Sequence, residues 1–256
     1  MNEIFNKIKQ NDLTIIAGPC AVESEQMIFS IAEKIKEAGA HILRGGAFKM
    51  RTSVHDFQGL GKEGIKMLRA AADKYNLPII SEIVDVRDME LFCEWVDIIQ
   101  VGMRNMYNYP LLRALGKTEK PVLIKRGMGA TLEEYLKAVE YVEQGGNRQI
   151  ILCERGVRGF DVATRNILDV GAIALLKKGS GYPVFADPSH AAGRTDIVPQ
   201  LCYSAVAAGA DGISIEVHEN NEKALSDGAQ AVDIETLKKI IKTMKKIKEI
   251  KEIKEV

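Results

Sequence analysis

The chain has 256 residues, of which 46% are hydrophobic, so it can form one large domain with a buried core or two small ones. Its 35 basic and 35 acidic residues give a formal net charge of zero, whereas proteins that hold nucleic acid or an anionic membrane usually carry a basic excess. The first residues show no signal-peptide pattern, and no run of about 18 apolar residues predicts a membrane span. We therefore expect a cytoplasmic protein with neither a nucleic-acid nor a membrane partner.

Eight short apolar runs predict strands, and each run is continuous rather than alternating, which is typical of parallel strands covered on both faces. In chain order the predicted strands are Thr14–Gly18, His41–Gly45, Pro78–Ile83, Asp97–Val101, Pro121–Lys125, Gln149–Cys153, Pro183–Ala186 and Gly212–Val217. Helical patterns lie between them, for example at Ser24–Ala38, Lys62–Tyr75, Val86–Trp95, Leu132–Glu143 and Thr195–Ala208. Parallel strands need crossover connections, and these helices supply them.

Capping residues mark several of the helix ends. Ser24 and Thr131 stand where N-caps are expected, with carboxylates in the turn that follows. Gly39, Gly145 and Gly209 follow helices, where glycine tolerates the left-handed conformation that often ends a helix. The caps therefore support the assigned boundaries.

Eight alternations of strand and helix in this length predict an α/β fold, a single (β/α)8 TIM barrel spanning residues 1–256. A doubly wound sheet is the competing layout, but GPCAVES after the first strand is not the glycine-rich dinucleotide turn GxGxxG. We expect residues 1–12 to cap the barrel bottom. The last helix, from about Asp233, carries one apolar stripe and extends through residues 245–256, either as a solvated tail or as a partner-binding helix.

The four cysteines do not predict a disulfide framework. Cys20, Cys93, Cys153 and Cys202 are far apart and form no CxxC pair. We expect reduced thiols, most of them buried as small core residues.

Basic residues recur at the carboxyl ends of the predicted strands, where TIM barrels carry their active sites. Arginine suits an anion there, because its planar fork pairs with two oxygens of a phosphate or carboxylate. A set of unrelated surface salt bridges is the alternative for any one residue, but six cations at one mouth favour a multiply charged anionic ligand. The six are Arg44, Lys49, Arg51, Arg104, Lys125 and Arg155.

A second group at the same rim has the side chains that ligate metals, namely Cys20, His190, Glu216 and Asp227. A thiolate, an imidazole and two carboxylates together suit a borderline divalent ion such as Mn, Fe, Co or Zn. Taken alone, His190 is more often a hydrogen-bonded structural histidine than a metal ligand. Its place in a polar loop after a strand makes the ligand interpretation equally well supported.

Motifs in the loops and at the strand ends carry a family resemblance. They are GPCAVES (Gly18–Ser24), RGGAFKMRTS (Arg44–Ser53), VGMRN (Val101–Asn105), IKRG (Ile124–Gly127), ERG (Glu154–Gly156), DPSHAAG (Asp187–Gly193), IEVH (Ile215–His218) and LSDGAQ (Leu225–Gln230). In order across nearly the whole chain, these motifs resemble the type I, β-subgroup 3-deoxy-D-arabino-heptulosonate 7-phosphate (DAHP) synthases. Close relatives of that family are the 3-deoxy-manno-octulosonate 8-phosphate synthases.

The resemblance implies a role for each matched residue. It implies that one divalent metal ion is held by Cys20, His190, Glu216 and Asp227. It implies a phosphoenolpyruvate pocket made by Arg44, Lys49, Met103, Arg104, Lys125 and Arg155. The segment expected to receive the aldose phosphate is Arg51, Thr52 and Ser53.

The implied reaction joins C3 of phosphoenolpyruvate to the aldehyde carbon of erythrose 4-phosphate, with water adding at C2 and phosphate leaving, as the first step of the shikimate pathway to aromatic amino acids. Lys49 is the candidate proton donor, and Glu82 and Asp187 are candidates for placing the water. His190 joins this catalytic set through the metal. The family also implies a homo-oligomer, either a dimer or a tetramer.

The choice of aldose depends on the segment KMRTS. DAHP synthases usually have KPRTS here and the octulosonate enzymes an Asn-Arg-Ser-Ser stretch, whereas this chain keeps Arg-Thr-Ser but has Met50 in place of proline. Without proline the backbone loses a φ constraint, so arabinose 5-phosphate is the alternative substrate. An inactive barrel that binds a partner such as a separate chorismate mutase is a further alternative. We expect neither a regulatory domain nor a fused chorismate mutase.

Overall fold

The computed structural model describes residues 2–51 and 53–252, with side chains through residue 250. Eight parallel strands close into a barrel in which each strand pairs with the next along the chain and the last pairs with the first. The strands are β1 (Thr14–Gly18), β2 (Ile42–Arg44), β3 (Ile79–Ile83), β4 (Ile98–Val101), β5 (Val122–Lys125), β6 (Ile150–Glu154), β7 (Val184–Ala186) and β8 (Gly212–Glu216). The predicted TIM barrel is confirmed, with every strand end within one residue of its predicted position.

One helix precedes β1, and helices that follow the strands cover the outside of the barrel. They are α1 (Glu3–Gln10), α2 (Glu25–Ala38), α3 (Gly61–Tyr75), α4 (Met89–Trp95), α5 (Tyr109–Leu115), α6 (Leu132–Gln144), α7 (Val170–Gly179), α8 (Pro188–Ala192), α9 (Val198–Ala207) and α10 (Ile234–Glu252). The predicted helices at Val86–Trp95 and Thr195–Ala208 both begin with a 3-10 turn before α4 and α9. No helix within the described ranges is both long and apolar enough to cross a membrane.

Two apolar layers hold the barrel together. One lies between the strands and the outer helices, and the other fills the barrel interior, where Ile16, Leu123 and Phe185 from different strands are buried together. Phe5 and Ile8 of α1 belong to the inner layer, so this helix lies at the N-terminal ends of the strands. Each buried apolar side chain of this size contributes roughly 1.5–3 kcal/mol. Apolar side chains therefore fill the barrel interior, and an open mouth is left at the carboxyl ends of the strands.

The N-caps have the expected geometry. The Ser24 Oγ accepts a hydrogen bond from the Met27 N–H at 3.2 Å. Thr131 and Glu134 form a reciprocal capping box, in which each side chain accepts from the other residue's backbone N–H. Both predicted caps are confirmed, and they place the start of α2 and of α6.

The glycines that follow the helices divide into two groups. Gly39 and Gly209 adopt positive φ values of 92° and 104°, as predicted. For Gly145 the prediction of a left-handed conformation is wrong, because its φ is −73° and Gly146 adopts the positive φ instead. Gly145 is needed for close packing, since a Cβ there would lie 2.5 Å from the carbonyl carbon of Gly116.

The last helix follows the predicted stripe only in part. Leu237, Ile240 and Met244 of α10 are buried against the barrel, whereas Ile250 is exposed. The helix thus leaves the barrel surface near its carboxyl end. Residues 253–256 of the predicted extension lie outside the described residues.

Candidate metal and anion site

The candidate metal ligands converge at the carboxyl ends of the strands. Gly18 at the end of β1 pairs with Glu216 at the end of β8, which brings the Cys20 loop beside that carboxylate. His190 lies in α8, directly after β7, and Asp227 lies in the loop after β8. One ligand atom from each of Cys20, His190, Glu216 and Asp227 lies within 4.8 Å of the other three. These four side chains therefore form a cluster that could hold a metal ion.

Individual distances within this cluster are short. The Cys20 Sγ lies 3.1 Å from Asp227 Oδ2, and His190 Nε2 lies 3.2 Å from Glu216 Oε1 and 3.8 Å from Asp227 Oδ2. Glu216 Oε1 is fully buried and lies 3.0 Å from Arg44 Nη2, but it accepts no well-aligned hydrogen bond from the described residues. Arg44 therefore offsets part of the cost of burying this charge and leaves the oxygen available as a ligand. Together with the thiol, the imidazole and the second carboxylate, it makes a donor set that fits a divalent ion of the borderline class.

Asp187 orients the candidate histidine ligand. Its Oδ2 is 2.8 Å from His190 Nδ1 and its Oδ1 accepts from the His190 backbone N–H at 3.1 Å, which leaves Nε2 facing the cluster. The same Oδ2 forms a short ion pair with Lys125. Burial alone would raise the pKa of Asp187, but His190 and Lys125 outweigh it and hold the pKa well below its usual range. Oδ2 thus holds two side chains and Oδ1 a backbone N–H, and the water-placing role of Asp187 stays a prediction.

The Cys20 sulfur has polar neighbours that favour a thiolate. Lys49 Nζ donates to its Sγ at 2.8 Å, and the Ser226 Oγ donates at 3.3 Å. Burial, with the charge of Glu216, nevertheless raises the pKa of the metal-free thiol to about 12. A bound cation would oppose this shift, because metals coordinate the deprotonated form.

Both carboxylates of the cluster are fixed by further contacts. Gln230 Nε2 donates to Glu216 Oε2 at 2.7 Å, and Arg165 Nη1 lies 3.3 Å from Asp227 Oδ1. Asp227 has a φ of 55°, a conformation that is uncommon for residues other than glycine but tolerated by aspartate. The loop after β8 is therefore shaped to present this side chain to the cluster.

Three of the predicted cations are buried at the barrel mouth. Arg44 pairs with Glu216 at 3.0 Å and Lys125 pairs with Asp187, but no carboxylate of the described residues forms an ion pair with Arg155. Arg155 is only 2% exposed, and burial lowers its pKa. A buried guanidinium without a counter-charge is the feature expected of a site that receives an anion.

A cavity of about 200 Å³ opens above these residues. The predicted site residues that line it are Lys49, Arg51, Glu82, Met103, Arg104, Lys125, Arg155, His190 and Asp227. Arg44 lines a smaller adjoining cavity together with Cys20 and Lys49. Anionic ligands entering this space would thus meet five of the six predicted cations and two of the candidate metal ligands.

The segment predicted to receive the aldose phosphate is only partly at the cavity. Arg51 lines it, and the exposed Arg104 donates to the Met50 carbonyl at its edge, at 3.1 Å. Ser53 is exposed and is not among the lining residues, while Thr52 lies outside the described residues. Of the two described residues of this segment, Arg51 is the one that lines the cavity.

Glycine makes room for a carboxylate at the base of the cavity. Glu82 Oε2 accepts from Gln100 Nε2 at 3.0 Å, which fixes the orientation of Glu82. A Cβ at Gly102 would lie 2.0 Å from Glu82 Oε1, so a side chain at that position would displace the Glu82 carboxylate. The VGMRN motif therefore contributes space as well as charge.

Several contacts of the site were missed by sequence reasoning. Arg165 lines the cavity and binds both Asp227 and Gln230, yet it lies in a long loop after β6, away from any strand end. Gln230 and Ser226 stand inside the quoted motif LSDGAQ, which was the available signal for both. The residues that they contact are remote in the chain, so no sequence pattern could have predicted the contacts themselves.

Comparisons with known proteins agree on one family. The model of the DAHP synthetase I family matches residues 5–252. Phospho-2-dehydro-3-deoxyheptonate aldolase of Thermotoga maritima is 48% identical over 236 residues, which is 92% of this chain and 70% of that protein. A 2-dehydro-3-deoxyphosphooctonate aldolase of Syntrophotalea carbinolica is 33% identical over 249 residues, covering 90% of this chain and 88% of the relative.

Solved structures give the same result. The crystal structure of the Thermotoga maritima aldolase, also titled DAHP synthase, superposes with a TM-score of 0.91 at 47% identity, covering 94% of this chain and 71% of that one. A truncated form of the 3-deoxy-D-arabino-heptulosonate 7-phosphate synthase from Thermotoga maritima gives 0.87 at 45% identity, covering 94% and 88%. The similarity thus extends over nearly all of the barrel.

Proposed function

The chain belongs to the DAHP synthetase I family, and on this premise we propose that it condenses phosphoenolpyruvate with erythrose 4-phosphate and water to give DAHP and phosphate. This is the first step of the shikimate pathway to aromatic amino acids. The observation that carries the proposal is the convergence of a four-residue metal-ligand cluster and a buried, unpaired arginine on one cavity. The family resemblance read from the motifs is confirmed.

Phosphoenolpyruvate has a carboxylate and a phosphate, and both need cationic partners away from water. The buried Arg155 supplies a guanidinium that forms no ion pair with a carboxylate of the described residues, and Lys125 lines the same cavity. Arg44 lines the smaller cavity that adjoins it. Bidentate arginine contacts would fix the orientation of the substrate and offset the charge that develops as the phosphate leaves. Arg104, with Met103, borders the same cavity at its exposed edge.

We assign the metal-holding role to Cys20, His190, Glu216 and Asp227, and the ion to the class of Mn, Fe, Co and Zn. Such an ion, when bound, supplies a Lewis acid for the aldehyde carbonyl of the aldose. The protein's part is to place the four donors, and Asp187 keeps His190 turned toward them.

Lys49 is suited to give a proton to the hydroxyl that forms at the former aldehyde. Burial alone would lower the pKa of Lys49, but the charges of Cys20, Glu82 and Glu216 outweigh it and raise the pKa. Its ammonium therefore stays protonated at neutral pH, and it lines the cavity. Glu82 lines the same cavity with one oxygen fixed by Gln100, which suits it to hold the water that adds to C2.

Erythrose 4-phosphate is the proposed aldose because the heptonate aldolase is 48% identical and the octonate aldolases are 30–33% identical. Arg51 is the group proposed to bind the aldose phosphate, with Thr52 and Ser53 next to it in the chain. Met50, which replaces the usual proline, is the one feature that favours a wider choice, so arabinose 5-phosphate is the second candidate substrate.

We further propose that residues 1–256 act as one catalytic barrel in the cytoplasm and assemble as a homodimer or homotetramer. An inactive scaffold would have no reason to retain six cations and four metal-ligating side chains at one mouth. The charge set is complete at the described positions.

The direct test is product identification. The purified enzyme, freed of metal and then supplied with Mn²⁺ or left without it, is given phosphoenolpyruvate with either erythrose 4-phosphate or arabinose 5-phosphate. Release of phosphate and formation of the seven-carbon sugar acid are followed by NMR. We expect metal-dependent turnover with the four-carbon aldose, and loss of it in Cys20→Ser. Undiminished activity of Cys20→Ser in chelator would contradict the metal assignment, and faster turnover of arabinose 5-phosphate would favour the octulosonate reaction.

A further inference from the structure

Ser226 lies between the candidate metal cluster and the proposed aldose-phosphate arginine. It precedes Asp227 in the loop after β8 and is 5% exposed. Its hydroxyl donates to the Cys20 Sγ at 3.3 Å and accepts from Arg51 Nη1 at 2.8 Å. A hydroxyl has one hydrogen to donate and lone pairs to accept, so both contacts can be made at once. One buried side chain thus touches both ends of the site.

Arg51 also contacts Asp56, but this ion pair holds the guanidinium less firmly than the hydrogen bond to Ser226 does. Its Nε lies 3.3 Å from Asp56 Oδ2, but the Asp56 side chain is 43% exposed. Ion pairs with solvated partners contribute little, because water screens them. The hydrogen bond to the buried Ser226 is therefore the contact that ties the guanidinium of Arg51 to the barrel mouth.

The contact with Cys20 has a defined direction. When Cys20 is a thiolate it has no hydrogen to give, so Ser226 must be the donor, and the oxygen lone pairs then face Arg51. A hydrogen bond to the sulfur withdraws electron density that the thiolate would otherwise donate to a metal. The hydroxyl of Ser226 thus points its hydrogen at Cys20 and offers its oxygen to Arg51, so one side chain fixes both contacts.

We propose that Ser226 is a positioning residue that couples the two halves of the site. It holds Arg51 in place for the phosphate of the aldose and tunes the Cys20 sulfur as a metal ligand. The coupling is reciprocal, since any effect of the metal-bound thiolate on aldose affinity implies an equal effect of the aldose on metal affinity. This inference rests on the proposed function, because the aldose phosphate is taken as the ligand of Arg51.

The test compares wild type with Ser226→Ala, Ser226→Thr and Ser226→Val, the last two matched in shape but differing in the hydroxyl. In Ser226→Ala and Ser226→Val we expect the KM for erythrose 4-phosphate to rise about tenfold while the KM for phosphoenolpyruvate changes less than about twofold. In the Co²⁺-substituted protein the sulfur-to-metal charge-transfer band should move to lower energy, because the thiolate loses a donor. Ser226→Thr keeps a hydroxyl, so its KM for erythrose 4-phosphate and the energy of its charge-transfer band should both be close to those of the wild type.

The control is Ser30→Ala, which removes a hydroxyl that donates to Glu219 and that lines neither cavity of the site, and it should change neither property. Equal rises in both KM values, or a charge-transfer band unchanged in Ser226→Val relative to Ser226→Thr, would overturn the inference. Wild-type turnover of erythrose 4-phosphate is measured first, so that its absence contradicts the proposed function. A wild-type enzyme that turns over normally, with variants indistinguishable from it, contradicts only the role of Ser226.

Discussion

Replacing Arg155 with methionine should stabilise the ligand-free protein and abolish its activity. The side chain is 2% exposed, and no carboxylate of the described residues is in ion-pair contact with it. In the amide orientation that satisfies both ends of Asn166, its oxygen accepts from Arg155 Nη1 at 2.6 Å, which is a neutral partner for a full charge. Methionine keeps an unbranched chain of similar reach and removes the charge that burial penalises.

The size of the effect follows from these contacts. An uncompensated buried ion costs several kcal/mol, and the Asn166 hydrogen bond together with the nearby charge of Asp187 offsets part of that cost. We therefore expect a net gain of about 1–3 kcal/mol in the free energy of unfolding, or roughly 2–4 °C in Tm for each kcal/mol. Loss of a bidentate anion contact should lower kcat/KM by about 10³-fold, equivalent to about 4 kcal/mol.

Thermal and urea unfolding of wild type and Arg155→Met, each with and without phosphoenolpyruvate, measure both effects. The ligand should raise the Tm of the wild type and not that of the variant. Arg158→Met, at an exposed arginine of the same loop, is the control and should change neither stability nor activity appreciably. A variant less stable than the wild type, or one that keeps near-normal turnover, would show that Arg155 is not the unpaired cation of the site.

Three further predictions concern other residues. Glu154→Gln should lower the free energy of unfolding by about 2 kcal/mol, since it removes the buried charge 2.9 Å from Arg126 Nη1 and leaves only the more exposed Asp169, at 3.1 Å, as the ionic partner. A loss below about 1 kcal/mol in urea would contradict this. Gly102→Ala should reduce kcat by at least about tenfold, with a stability cost of about 1–3 kcal/mol, because the new Cβ must displace the Glu82 carboxylate; unchanged steady-state rates would refute it. His41 Nδ1 accepts from the Ile15 N–H and burial lowers the pKa of His41, so the unfolded chain binds the proton more readily. Stability should be full above the unfolded pKa of 6.5 and fall as the pH drops through it, and unfolding curves at about pH 8 and about pH 5.5 should show a smaller difference for His41→Asn.

The periodic pattern of apolar residues in the sequence was enough to predict the fold. Eight continuous apolar runs separated by helical patterns allow few arrangements, because parallel strands require crossovers and a closed barrel leaves no edge. The capping residues Ser24 and Thr131 act through their own backbone neighbours, so they could be read locally. Gly145 could not, because its requirement comes from Gly116 of another segment.

The kinds of residue at the mouth were also visible in the sequence. Once the fold is a barrel, every strand end faces the same opening, so Cys20, His190, Glu216 and Asp227 had to lie near one another. The chain order alone does not say which cation pairs with which carboxylate. That pairing depends on side-chain directions across the mouth. Among the described residues it leaves the buried Arg155 without an ion pair, while Lys125 is held by Asp187.

The sequence by itself determined the barrel and the inventory of charges and metal-binding groups at its mouth, because both follow from local pattern and from the rule that parallel strands end together. Only the tertiary structure decided how those groups are connected. Arg165, Gln230 and Ser226 reach the site from loops whose path is set by packing, and their partners lie 14 to 206 positions away in the chain. Contacts over such separations leave no period in a sequence, since they arise only when the closed barrel brings its loops together.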